Sequence, residues 1–286
     1  MGSSVMPVYL LDGPEPVLFD AGLSAYAQVY IDGIREILRN RSPRYLFLTH
    51  THFDHVGAAG YFKRFWPDLK IIASALSRDI LARPGVVRII TDLNKEIVGH
   101  AVAPGEPPLA DIAFESFNID QVIAPDQCFS AGPETVIQAL FTPGHTRDFT
   151  SYWIATNKIL VASEAVGCEN GQGYFQTEFL VDYDNYISNI QRLSMLNADV
   201  LCPGHVLVLT GEDVEKHLHR ALTNARNYLS MVEGLLRETA GDIHSVVAKV
   251  KATEWDNCPW PKQIEQAYLL NTRQRVQTIW ERMQFP

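Results

Sequence analysis

What this chain has little of narrows its chemistry first. It has four cysteines in 286 residues, Cys128, Cys168, Cys202 and Cys258, far apart and without CxxC spacing. That is no disulfide framework, and each reads as a reduced thiol filling a small core position of a cytoplasmic protein. No apolar run approaches the roughly 18 residues that a membrane span requires. The opening MGSSVMPVYLLDG lacks the basic segment and apolar segment of a secretory signal. The expectation is therefore no membrane partner. Positive charge is scarce: 24 Lys and Arg against 33 Asp and Glu leave a net charge of −9, which argues against a nucleic-acid partner. There is no GxSxG, and GQGYF is a glycine turn rather than a phosphate loop. Covalent serine or cysteine catalysis is disfavoured accordingly.

Hydrophobic residues make up 47% of the chain, so one large domain, or a domain with an appendage, can bury a sizeable core. PVYLLDG and PVLFDAG, parted by PEP, read as an antiparallel pair ended by Gly22. Residues 24–40 carry Val29, Ile34, Ile37 and Leu38 at helical spacing. A strand at 44–49, a helix at 57–65 and a strand at LKIIAS follow, the strand–helix alternation of a layered α/β protein. Residues 74–118 break that rhythm. They read as a helical insertion over one end of the sheet, helical on both sides of Pro84-Gly85, proline-rich from 103, then helical again toward Phe117. Strands resume at QVIA, QCFSAG, TVIQALFT, TSYWIAT and KILVAS, with TNK as a hairpin turn. A helix at 183–196 and a strand at ADVLCPG complete this part. Beyond residue 206, Val214, Leu218, Leu222, Ala225, Leu229, Val232 and Leu236 predict one long amphipathic helix, with shorter helices over 242–252 and 262–284.

The chemistry concentrates at LTHTHFDHVGAAG, residues 48–60. Side chains two apart on an extended segment point the same way, so His50 and His52 can grip one ion from a strand end. Asp54 and His55 come where the chain turns into a helix and aim at a neighbouring point. Two further units place a histidine after strand, Pro and Gly: TPGHT with His145 and CPGH with His205. His100, His217, His219 and His244 lie away from strand ends and read as ordinary packed or surface histidines.

FDAG before the first helix, THTHFDHVG, PGHT, ILVASE and the final PGH run in the order found in metallo-β-lactamase-superfamily hydrolases, which this chain resembles over residues 5–205. The resemblance implies a four-layer αββα sandwich of the α/β (α+β) class, residues 1–205, with the insertion at about 74–118 and a C-terminal helical region, 206–286, packed on it. It implies two divalent metal ions: His50, His52 and His145 would hold one, and Asp54, His55 and His205 the other. VVRIITDLNKEIV, FLVDYDNYISNIQRL and the helical C-terminal part further resemble the branch of the quinolone-signal response thioesterase (PqsE) and its relatives. One position departs. The family places an Asp at the strand end of ILVASE, bridging the metals; here stands Glu164, longer by one bond of roughly 1.5 Å. Glu164 is read as a ligand that still reaches the metals.

Five histidines and two carboxylates suit zinc, iron or manganese. Two such ions would share a hydroxide that attacks a carbonyl carbon, with Asp54 both ligating and orienting it. The function expected is hydrolysis of a small ester, thioester or lactone, with an apolar acyl or aryl group held by the insertion and by GYFQTEFLVDYDNY. Trp255 and Trp260 are placed between that role and plain packing, and Asp148 between a histidine partner and a turn residue. A homodimer is the assembly considered. The competing readings are a regulatory, protein-binding module with a weakened metal site, which Glu164 and the C-terminal helices keep open, and a nuclease, which the acidity disfavours.

Overall fold

The computed structural model describes residue 3, residues 5–98, residue 110 and residues 112–284. The runs flanking PEP form a hairpin, β1 (Tyr9–Leu11) with β2 (Val17–Phe19), Tyr9 opposite Phe19. β3 (Tyr45–Phe47), β4 (Lys70–Ser74) and β5 (Gln121–Ile123) add in parallel to make a five-stranded sheet in sequence order. Parallel neighbours need crossovers. Here these are α1 (Ala27–Leu38), then α2 (Phe53–Val56) with α3 (Ala59–Phe65), then α4 (Ala75–Leu81) with α5 (Pro84–Glu96). α4 and α5 lie on either side of the predicted break, α4 capped by the Ser74 hydroxyl and α5 opened by Pro84, whose missing N–H costs nothing there.

The second sheet starts as an antiparallel meander of β6 (Cys128–Ser130), β7 (Val136–Phe141), β8 (Thr150–Ile154) and β9 (Ile159–Val161). A short ribbon, β10 (Cys168–Glu169) with β11 (Phe175–Gln176), and α6 (Tyr183–Ser194) intervene. β12 (Val200–Cys202) then joins β9 in parallel, and β13 (Leu209–Thr210) closes that edge. α7 (Glu212–Glu238), α8 (Ile243–Glu254) and α9 (Glu265–Gln284) complete the described chain.

Three apolar clusters define four layers. Val17, Phe19, Phe47 and Ile72 of the first sheet meet Ile137, Tyr152, Ile154 and Val161 of the second. The other face of the first sheet, through Leu18, Leu46 and Ile71, packs on Tyr30, Ile34 and Phe62 of the helices. The outer face of the second, through Leu140, Trp153 and Leu201, packs on α6 and on Val214, Leu218, Ala225, Val232 and Leu236 of α7. The fold is the αββα sandwich.

Several local expectations fail for tertiary reasons. On α1 the buried stripe is Ala27, Tyr30, Ile31, Ile34 and Leu38, while Val29 and Ile37 are exposed. Residues 112–119 are not helical; Phe114 and Phe117 pack from this irregular segment onto the cluster between the first sheet and its helices. The proline-rich residues 103–109 and His100 lie outside the described residues. Cys128 is exposed on the edge strand β6 instead of filling a core position.

One polar contact crosses the sandwich. The buried Tyr152 hydroxyl on β8 donates to the Leu48 carbonyl just past β3, 2.7 Å away, and its ring lies 5.1 Å from that of Phe47. Tyr152→Phe leaves that buried carbonyl one bond short, so chemical denaturation should show a loss of about 1–2 kcal/mol with little change in slope.

Candidate metal centre

The first sheet delivers its ligands where β3 ends. The strand ends at Phe47, and after a bend at Thr49 the chain is extended again at His52, with φ −66° and ψ 149° as the residue before α2. The His50 and His52 rings nonetheless come to one side, and the first turn of α2 swings Asp54 and His55 beside them. The second sheet answers from three strand ends: His145 after β7, Glu164 in the 3-10 turn Ser163–Val166 after β9, and His205 after β12. All seven sequence-selected residues meet on one edge of the sandwich. The His50 ring is 4.6, 4.4 and 5.0 Å from those of His52, His55 and His145, and His55 is 5.4 Å from His205. Among these seven, three sets of donor atoms lie within 4.8 Å of one another: His50, His52, His145; His50, His55, Glu164; and Asp54, His55, His205.

Buried hydrogen bonds fix the outer ring nitrogens. His55 Nδ1 donates to Asp20 Oδ2 at 2.9 Å, His145 Nδ1 to the Glu178 carbonyl at 2.5 Å, and His205 Nδ1 to the Val5 carbonyl at 3.2 Å. Asp20 also accepts from the Thr49 amide and hydroxyl, and that hydroxyl lies 3.0 Å from His50 Nδ1. Three non-glycine residues with left-handed backbone adjoin the cluster: Asp20 (φ 58°), Ser163 (φ 45°) before Glu164, and Val206 (φ 65°) after His205. Such strain persists where surroundings over-determine the backbone.

With those Nδ1 protons committed, Nε2 of His55 and of His205 present lone pairs. Each lies 2.8 Å from the same Glu164 Oε1, while His50 Nε2, 3.8 Å from Glu164 Oε2, is buried with no hydrogen-bond partner. Lone pairs do not approach a carboxylate this closely unless positive charge lies between them, as protons or as metal. The titration directions agree. Burial opposes it, yet Glu164 and Asp54 hold the His55 imidazole well above its usual range, and Glu164 likewise raises His205. Burial also opposes ionisation of Glu164, yet His55, His205 and His50 hold it well below the carboxylate range. Burial pushes His50 well down and His145 down to about 3, leaving them neutral, as metal ligands must be. His145 Nε2 and His52 Nδ1 stand 3.1 Å apart, able to share an ion. The donor set fits divalent metal. Gly204 makes room for the longer Glu164 side chain among these donors: a Cβ there would stand 2.2 Å from Glu164 Oε1.

A cavity of about 310 Å³ opens over these donors. The insertion lines it with Ile90 and Leu93 of α5 and Ile97 just past that helix, which is anchored by buried Asn94, accepting from Ser24 and donating to the Phe53 carbonyl. Ile264, Ala267 and Leu270, leading into and along α9, also line it. Of the aromatic stretch, Tyr174 lines the cavity, whereas Phe175, Phe179, Tyr183 and Tyr186 pack under α7. Trp260 lines the cavity; Trp255 instead lies beneath Lys251 and Lys262. Asp148 bonds Ser77 of α4 at 2.8 Å rather than a histidine. His217 is a packed histidine on the Val166 carbonyl, and His219 and His244 are exposed.

A family model described as Metallo-beta-lactamase superfamily matches residues 7–205, which contain every one of these donors. The chain belongs to the metallo-beta-lactamase superfamily. Within this superfamily it is similar to a Caenorhabditis elegans protein called beta-lactamase-like protein 2 homolog, 24% identical over 84% of this chain and 69% of that one. It is also similar to the atrochrysone carboxyl ACP thioesterase of Aspergillus fumigatus, 22% identical over 73% of this chain and 54% of the relative. A metallo-beta-lactamase family protein from Thermus thermophilus shares the fold with a TM-score of 0.65 at 16% identity, over 98% of this chain and 89% of the other. The superfamily motifs reveal the histidines in sequence, but two neighbours escaped notice: Asp20, signalled only by its place in FDAG, and Cys168, which no local pattern marks.

Asp20 touches no candidate metal position yet aims His55. Asp20→Asn should weaken zinc binding, followed by calorimetry, by about 10–100-fold with the circular dichroism spectrum unchanged.

Proposed function

We propose that this chain is a metal-dependent hydrolase of an ester or thioester with an apolar acyl or aryl group. The observation that carries the reading is the meeting of five imidazoles and two carboxylates, of which His52, Asp54, His145, Glu164 and His205 line a cavity that is otherwise largely apolar. His50, His52 and His145 would hold one divalent ion, Asp54, His55 and His205 a second, with Glu164 between them. Such ions, when bound, polarise a carbonyl and make water nucleophilic at neutral pH. The protein's own groups do the rest. Asp54, 3.7 Å from His205 Nε2 and 3.9 Å from His55 Nε2, is the carboxylate placed to orient the attacking water. Asp20, Thr49 and the Glu178 carbonyl hold the imidazoles in their tautomers. α5 and the approach to α9 exclude bulk water from the reacting carbonyl and grip the acyl group.

A thioester is favoured over other carbonyl compounds on two grounds. The insertion and C-terminal helices that wall the cavity are the parts resembling the quinolone-signal response thioesterase branch, and the similar Aspergillus fumigatus protein is named as a thioesterase. The apolar walls and net charge of −9 disfavour a nucleic acid.

Acyl thioesters should be hydrolysed, with activity removed by chelator and restored by a divalent metal. Each added acyl methylene should raise kcat/KM by about fourfold, the equivalent of ~0.8 kcal/mol, until the cavity is full. Glu164→Gln, which keeps size and deletes charge, should slow turnover at least about tenfold, or ~1.4 kcal/mol in the barrier. Turnover that survives complete metal removal would rule the mechanism out.

A further inference from the structure

Cys168 lies outside the motifs, yet its sulfur stands with the Glu164 carboxylate and a His205 ring nitrogen in a set of donors within 4.8 Å of one another. The cause is local. After the turn Ser163–Val166, Gly167 takes φ +72°, and a Cβ there would strike the Phe175 ring at 2.5 Å, so the chain can fold back onto β11 only with glycine at this point. That reversal brings residues 164 and 168 to one side. Glu164, Cys168 and His205 all line the cavity, so an ion entering it reaches all three. A second observation points to a ligand here: Glu164 Oε1 faces His55 and His205 Nε2 at 2.8 Å, and the fully buried His50 Nε2 beside it has no partner.

We propose that Cys168 joins Glu164 and His205 around the second of the two divalent ions, giving it a mixed carboxylate, thiolate and imidazole seat, and that its sulfur selects a thiophilic ion such as zinc over manganese. The inference rests on the metal-dependent reading above and sharpens it. Nitrogen and oxygen donors alone serve zinc, iron and manganese alike, whereas a thiolate is a soft ligand that favours zinc and disfavours manganese. On binding, the Sγ–H proton passes to solvent and a sulfur–metal bond forms, with no change of oxidation state.

X-ray absorption of the zinc-loaded full chain should show a sulfur scatterer at about 2.3 Å. Cobalt loading should give the near-ultraviolet sulfur-to-cobalt charge-transfer band. Both should vanish in Cys168→Ser and Cys168→Ala, whose zinc affinity should drop about tenfold or more while manganese affinity holds. Bound metal with only nitrogen and oxygen scatterers would overturn the sulfur seat and leave the metal centre standing, as would a sulfur signal that persists in both variants. A wild-type chain that takes up no divalent ion would overturn both. If the variants misfold, the wild-type spectrum decides alone.

Discussion

The rest of the site depends on one arrangement: a single buried carboxylate, Glu164, with imidazole nitrogens of His55 and His205 at 2.8 Å and of His50 at 3.8 Å. A lone ionised carboxylate in such a place costs several kcal/mol. The chain offsets this with surroundings that demand positive charge at the same point. Each Nδ1 proton of His55 and His205 is spent on another acceptor, so in the neutral rings the nitrogens facing Glu164 are lone pairs, and a proton or a metal ion must lie between them and the carboxylate. The cluster thus favours cations, and the glycine at 204 leaves room for a residue one bond longer than aspartate among the imidazoles.

The sandwich makes that arrangement rigid. His50 is the third residue beyond β3, its ring stacked on Phe149 at 4.7 Å, and Tyr152 ties the intervening Leu48 to the opposite sheet. His145, Glu164 and His205 leave strands of that opposite sheet, so packing between the two inner faces sets the distance between the two halves of the site. The insertion and C-terminal helices then decide what reaches the site. α5 and α9 come from distant parts of the chain and both supply apolar side chains to the cavity that the polar donors line.

Local patterns were legible where the physics is local. HTHFDH announces itself because strand periodicity and a helix start follow directly from adjacent residues, and the two PGH units repeat the same strand-end logic. The long apolar stripe of α7 reads correctly for the same reason. What escaped is tertiary. Val29 and Ile37 looked like core residues of α1, but Tyr30 and Ala27 turn toward the sheet instead. Asp20 became visible as the partner of His55 only once β2 lay beside β3. The fit of Glu164 against Gly204 spans 40 residues, and Cys168 reaches the donors through a turn whose geometry a composition scan does not see.

The central claim is that these side chains exist to hold metal. Elemental analysis of the purified chain, reconstituted with excess zinc and freed of unbound ion, tests it most directly. The account predicts about two equivalents per chain, as two-metal hydrolytic sites require, falling sharply in His52→Ala. A wild-type chain that retains no metal after the same treatment would contradict it.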